Sequence, residues 1–145
     1  MKVLNELKIQ LDSRSVNEGY SRVAVAAFIA QLDPTVEEIN DIKTSVSEAV
    51  TNCIVHAYKN GVGKIYISVR LLENSVAEIK IKDKGCGIED IDKAREPLFT
   101  TLGGERSGLG FSVMESFSDS LRVRSRLGMG TTVTIIKKIR GRNAY

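Results

Sequence analysis

A chain of 145 residues with 42% hydrophobic and 27% charged side chains is long enough to bury an ordinary core without disulfide staples. Its net charge of +3 is too small to point to nucleic acid by itself, and no apolar run approaches the roughly 20 residues of a membrane helix. The N-terminal stretch already alternates with polar residues, which argues against a signal peptide. One domain over 1–145 is expected, in the cytoplasm, with no membrane and no direct nucleic acid as partner.

The predicted elements follow in chain order. Val3, Leu7, Ile9 and Leu11 share a parity and predict a first strand. Ser15 and Glu18 form a capping-box pattern ahead of Tyr20, Val23, Ala24, Ala27 and Phe28, an amphipathic helix ending near Leu32. Asp33-Pro34 predicts a second start, with Asp33 as N-cap and Pro34 at the first helical position, and a helix to about Tyr58. Ile65–Leu71 and Ala77–Ile81 alternate as two strands around a turn near Glu73-Asn74-Ser75. A short helix near Glu89–Arg95, a loop from Glu96 to Ser107, a helix opened by Gly108-Leu109-Gly110 and a hairpin of Leu121–Arg126 with Thr131–Ile139 complete the chain. This order predicts an α+β fold, a mixed and mainly antiparallel sheet with helices on one face.

Three places could carry chemistry. On the second helix Ile39, Ile42, Val46, Ala49, Val50, Cys53 and Ala57 fall on one stripe, with Asp41, Ser45, Glu48 and Asn52 on a polar stripe beside it. Glu48 and Asn52 are four apart, so a carboxylate and an amide project together, a proton acceptor beside a hard ligand suited to Mg2+. On spacing alone a solvated helix face is the favoured explanation. Asp83 shares the inward parity of Ile79 and Ile81, and a buried carboxylate needs donors: a purine amine, or backbone N–H groups of the next turn. Gly85 and Gly87 follow it and would admit a flat ring, or simply a tight turn. Ser107-Gly108-Leu109-Gly110 offers free amides at a helix start, with Arg106 just upstream to reach a terminal phosphate. The lone His56, Tyr58 and Phe99 read as packing residues. Cys53 and Cys86 read as reduced thiols without metal-ligand partners.

Taken in order, these pieces resemble the ATPase superfamily of gyrase, heat-shock chaperones, histidine kinases and mismatch-repair proteins (GHKL, the Bergerat fold). Ser47-Glu48-Ala49-Val50-Thr51-Asn52 is similar to its N box, Asp83-x-Gly85-x-Gly87 and Gly108-Leu109-Gly110 to its glycine boxes, and Gly130-Thr131 to its final strand motif. Together with Glu96-Pro97-Leu98-Phe99-Thr100-Thr101 and Glu105–Phe111 they resemble the anti-sigma serine-kinase branch, its sporulation members most of all, from about Asn17 to Lys138.

That resemblance implies a two-layer α/β sandwich that binds ATP/ADP and Mg2+ and forms a homodimer. It implies sequestration of a sporulation RNA polymerase sigma factor, and phosphorylation of a serine on an anti-anti-sigma protein. By the same resemblance Glu48 is the general base, Asn52 holds Mg2+, and Asp83 reads the adenine amino group with Thr131 nearby. Gly85 and Gly87 line the adenine pocket. Thr100, Thr101, Arg106, Ser107, Gly108 and Gly110 form the lid and phosphate cradle, and Glu18 with Arg22 corresponds to a partner surface. Two departures stand out: a lid one residue shorter and richer in glycine at Thr101–Glu105, and Ala57 where the pattern has glycine. The competing assignments are a stress-response anti-sigma kinase, the catalytic domain of a histidine kinase, and a non-catalytic module that uses ATP only to set its conformation.

Overall fold

The computed structural model describes residues 1–91, 95 and 110–141. Five strands, β1 (Val3–Asp12), β2 (Lys64–Leu72), β3 (Val76–Asp83), β4 (Ser120–Arg126) and β5 (Gly130–Lys138), form one sheet in the order β1-β2-β3-β5-β4. All four pairings are antiparallel. Three helices, α1 (Val16–Ile29), α2 (Val36–Asn52) and α3 (Gly110–Ser116), cover one face.

The period-2 alternation decides which residues meet those helices. Ile65, Ile67 and Val69 of β2, Ile79 and Ile81 of β3, Val123 of β4 and Val133 and Ile135 of β5 are buried under Val25 and Ile29 of α1 and Ile42, Val46, Ala49 and Val50 of α2. Each such Val or Ile side chain contributes about 1.5–3 kcal/mol by leaving water. The intervening residues point to the other face, which none of the described helices covers. The expected α+β sandwich with helices on one side is therefore the observed one.

Two helix starts differ from expectation. Ser15 sits in helical geometry (φ −59, ψ −30) and its side chain makes no capping bond. A cap needs extended backbone to aim its oxygen at the first free amides, and Glu18 instead pairs with Arg22 at 3.0 Å. Asp33 is not an N-cap either. It adopts the left-handed conformation (φ 53, ψ 53) and closes a 3-10 turn at Ala30–Leu32, a conformation that a short polar side chain tolerates. The true cap is two residues on. Thr35 is extended, its hydroxyl accepts from Glu38 N at 3.1 Å, and Glu38 Oε1 accepts from Thr35 N at 2.9 Å.

Glu38 also accepts from the backbone N of Arg140 (2.7 Å) and Gly141 (3.1 Å), tying the end of the described chain to the start of α2. Burial pushes its carboxyl up, but these backbone and hydroxyl donors more than reverse that and hold it below the ordinary carboxylate value. Ser45, expected on a polar stripe, is buried. The expected helix near Glu89–Arg95 is seen only at Ile91, whose carbonyl accepts from Arg95 N at 3.0 Å; 92–94 lie outside the described residues.

Candidate functional site

The far end of α2 and the loop after β3 come together at one end of the helical layer. The α-helix stops at Asn52 and widens into a π turn over Cys53–Ala57, an irregularity that recurs at functional positions. Tyr58 closes the turn. Its hydroxyl donates to Lys64 O and accepts from Lys84 N, both at 2.6 Å, pinning the helix end to β2 and to the residue after Asp83. Tyr58, expected as a packing residue, is thus also a hydrogen-bonding clamp. His56 is half-buried within the same turn, and burial, then the charge of Lys59, lowers its pKa, so it is neutral near pH 7.

Asp83 ends β3 facing the helices, only 5% exposed. Its Oδ1 accepts from Gly85 N at 2.9 Å and from Thr131 N at 3.2 Å. Its Oδ2 faces the thiol of Cys53, which donates at 3.6 Å. Burial raises the Asp83 carboxyl above its ordinary value, opposed by the donors from Gly85, Cys53 and Thr131. The Cys53 thiol is pushed up by burial and then by the Asp83 charge, so it stays protonated and remains a donor. Asp83 thus caps its own turn with one oxygen, while its second oxygen has only a weak thiol donor, which leaves capacity for a further donor.

Space rather than polarity explains the glycines. A side chain at Gly85 would overlap the carbonyl oxygen of Ala57, and Gly87 (φ +78) would run into Arg126 O. The loop is fixed further by Ser125. Its hydroxyl accepts from Ile88 N at 2.7 Å, donates to Gly130 O at 3.1 Å and shares a 2.8 Å bond with Thr131 Oγ1. Cys86 O accepts from Gly128 N at 2.8 Å.

Gly110 opens α3 against the polar heads of α2. A Cβ placed on it would lie 3.1 Å from Asn52 Nδ2 and 3.5 Å from Glu48 Oε2. Glu48, Asn52 and Gly110 therefore converge on one spot, next along α2 to the Cys53–Asp83 contact. Of the residues singled out in the sequence, the structure brings Glu48, Asn52, Asp83, Gly85, Gly87, Gly110 and Thr131 to this end of the fold. Phe99, Thr100, Thr101, Arg106, Ser107 and Gly108 lie outside the described residues. Glu18 and Arg22 sit apart, on the exposed side of α1.

Two residues of the site escaped the sequence reading. Cys53 lies on the apolar stripe, where nothing marks it as a partner of Asp83. Ser125 alternates inward on β4 like any core position; only its place opposite Thr131 in the β4–β5 register could have flagged it.

Among the described residues no cluster of three or more His, Cys, Asp or Glu could hold a metal. The donor set here is one amide beside one carboxylate. That suits Mg2+ held mainly by substrate phosphates and water, not an all-protein cage. No described helix is long and apolar enough to cross a membrane.

Comparison with known proteins bears on this geometry. The family model for the histidine kinase-like ATPase domain matches residues 10–137. The chain is 54% identical over 144 residues to an anti-sigma F factor of Caldanaerobacter subterraneus subsp. tengcongensis, covering 99% of both proteins. It is 53% identical over 137 residues to that of Bacillus licheniformis, covering 93% of both. Among solved structures, the RsbU and RsbW domains of a Mycobacterium tuberculosis protein superpose with a TM-score of 0.69 at 20% identity, over 93% of this chain and 32% of that one. That likeness is one of fold.

Proposed function

The chain belongs to the histidine kinase-like ATPase family and, within it, to the anti-sigma F factors, and from that premise we propose that it sequesters a sporulation sigma factor and phosphorylates a serine of an anti-anti-sigma protein at the expense of ATP. Adenine nucleotide binding follows from the family. The observation that carries the kinase reading is the convergence of Glu48 and Asn52 on the start of α3, beside a buried Asp83 with one under-used oxygen.

In this reading Asp83 Oδ2 accepts from the adenine amine. The backbone of Gly85 and Gly87 forms the wall of the ring pocket, and Thr131 supports Asp83 through its N–H. Asn52 holds Mg2+, which neutralises phosphate charge when bound. The serine hydroxyl of the protein substrate attacks the γ-phosphorus. Its O–P bond forms as the bond from the γ-phosphorus to the β–γ bridging oxygen breaks, ADP leaves, and the hydroxyl proton passes to the Glu48 carboxylate. Positioning and charge neutralisation are the main demands of such a reaction. Thr100, Thr101, Arg106, Ser107 and Gly108 are assigned to the lid and phosphate cradle by the family resemblance, with Gly110 at its base. The single 1–145 domain works as a cytoplasmic homodimer, with Glu18 and Arg22 on its partner surface.

The test is transfer of label from γ-labelled ATP to a purified anti-anti-sigma protein. Glu48→Gln keeps nucleotide binding and loses transfer by about 10²- to 10⁴-fold, the usual contribution of a positioned base. Transfer at the wild-type rate removes Glu48 from that role. Label on His56 of this chain, instead of on the partner's serine, would support a histidine kinase.

A further inference from the structure

The face of the sheet opposite the helices carries a concentration of positive charge that the proposed kinase does not use. The outward residues of β3 and β4 include Lys80, Lys82, Arg122, Arg124 and Arg126, all exposed. Arg122 and Lys80 flank Thr134 of β5, and Arg124 and Lys82 flank Thr132, so the cations stand in two adjacent cross-strand rows. With strands about 4.8 Å apart, the cations in each row are about 10 Å from one another, and successive rows are about 7 Å apart.

Cross-strand charges are normally matched, and this sheet does so nearby: Arg70 pairs with Glu6 at 3.1 Å and with Glu78 at 3.7 Å. The five cations have no carboxylate partner among the described residues. Between the rows lies a shallow cleft of about 310 Å³ lined by Lys80, Arg122, Arg124, Thr132 and Thr134, with Ile136 as its apolar spot and Glu78 at one edge.

We infer that this face docks an acidic protein segment that carries an apolar side chain for Ile136. Charge complementarity selects the class of occupant. A second copy of the chain would set cations against cations. Single-stranded nucleic acid binds flat sheets through stacked aromatics, and the one outward aromatic among the described residues of β2, β3, β4 and β5 is Tyr66, over which Lys84 sits at 5.0 Å. A cationic rim with hydroxyls around an aliphatic spot is instead the anatomy of a protein interface. Lys80 and Lys82 point away from Asp83, which faces the helices, so occupancy leaves the proposed nucleotide site open.

Fluorescence anisotropy with a labelled nonapeptide of Glu and Asp around a central Leu tests this, at 50 and 200 mM salt. Wild-type protein is expected to bind, at least tenfold more weakly at the higher salt. R122E/R124E should lose at least tenfold, with R122Q/R124Q in between. Ile136→Ser should weaken the Leu peptide severalfold and leave an all-Glu peptide unaffected. Nucleotide uptake, measured on the same samples, should not change, so failure here is separable from failure of the kinase reading. Absence of peptide binding, equal binding by R122E/R124E, or tighter binding of oligothymidylate or phosphatidylglycerol vesicles than of the peptide overturns the inference.

Discussion

Gly110→Ala separates catalysis from folding. The added methyl would lie 3.1 Å from Asn52 Nδ2, 3.4 Å from Asn52 Oδ1 and 3.5 Å from Glu48 Oε2, so the side chains must yield by a few tenths of an ångström. The atoms in the way are tips of flexible side chains, and an off-rotamer adjustment costs about 0.5–1.5 kcal/mol. Alanine in place of glycine returns up to about 1 kcal/mol in a helix. Net stability should stay within about 1 kcal/mol, or about 3 °C in Tm for a chain of this size. Activity should not escape. A 1 Å misplacement can cost about 10²-fold, so a few tenths predicts a loss of about 3- to 10-fold in serine transfer. Gly85→Ala is the contrast: its methyl meets backbone at Ala57 O, so folding should lose about 1–3 kcal/mol. Thermal melts and γ-label transfer on both variants decide the matter. Full transfer by a well-folded Gly110→Ala protein would refute the claim that phosphate chemistry happens where Glu48, Asn52 and Gly110 meet.

Two further outcomes are expected from titratable groups. The folded state raises the Asp83 carboxyl, so its protonated form favours folding. That contribution is complete below the unfolded carboxylate value and is lost as pH rises through the folded one. Adenine recognition, in contrast, needs the ionised carboxylate, so nucleotide affinity should rise over the same window, upward from about pH 4. Asp83→Asn should flatten the stability profile and weaken adenine binding at least tenfold; paired melts and titrations against pH check both. Glu38 behaves oppositely. Its lowered carboxyl contributes stability above the unfolded value that is lost as pH falls through the folded one. Glu38→Ala removes the capping box and the acceptor for Arg140 N and Gly141 N, and should cost about 1–2 kcal/mol in urea melts at pH 7. A loss below a few tenths would mean that the tail is not held by this side chain.

Periodicity made the framework legible. The period-2 runs at Ile65–Leu71 and Ala77–Ile81 and the 3.6-period stripe from Ile42 to Cys53 gave the strands, the long helix and the buried face, because burial on one side of an element writes itself into the sequence. Glu48, Asn52 and Asp83 were visible as polar residues in ordered positions, and the family resemblance gave them meaning. Helix starts were not legible, because Ser15 and Asp33 have the right side chains and the wrong backbone. Thr35-Val36-Glu37-Glu38 does carry the capping-box spacing, which the Asp33-Pro34 pair two residues earlier masked, and the reciprocal bonds of Thr35 and Glu38 mark the true cap. Cys53 and Ser125 stayed hidden for a different reason. Cys53 meets Asp83 thirty residues on, from helix end to strand end, and Ser125 meets Thr131 across the β4–β5 register, and a local pattern holds no record of either contact.

The central claim is a nucleotide site made by Asp83 at one end and by Glu48, Asn52 and Gly110 at the other. Isothermal titration of the intact protein with ATP in the presence of Mg2+ tests it most directly. The account predicts saturable uptake of one nucleotide per chain, with affinity reduced at least tenfold in Asp83→Asn and made less dependent on Mg2+ in Asn52→Ala. Silence in the calorimeter, or equal affinity for wild-type protein and Asp83→Asn, would contradict it.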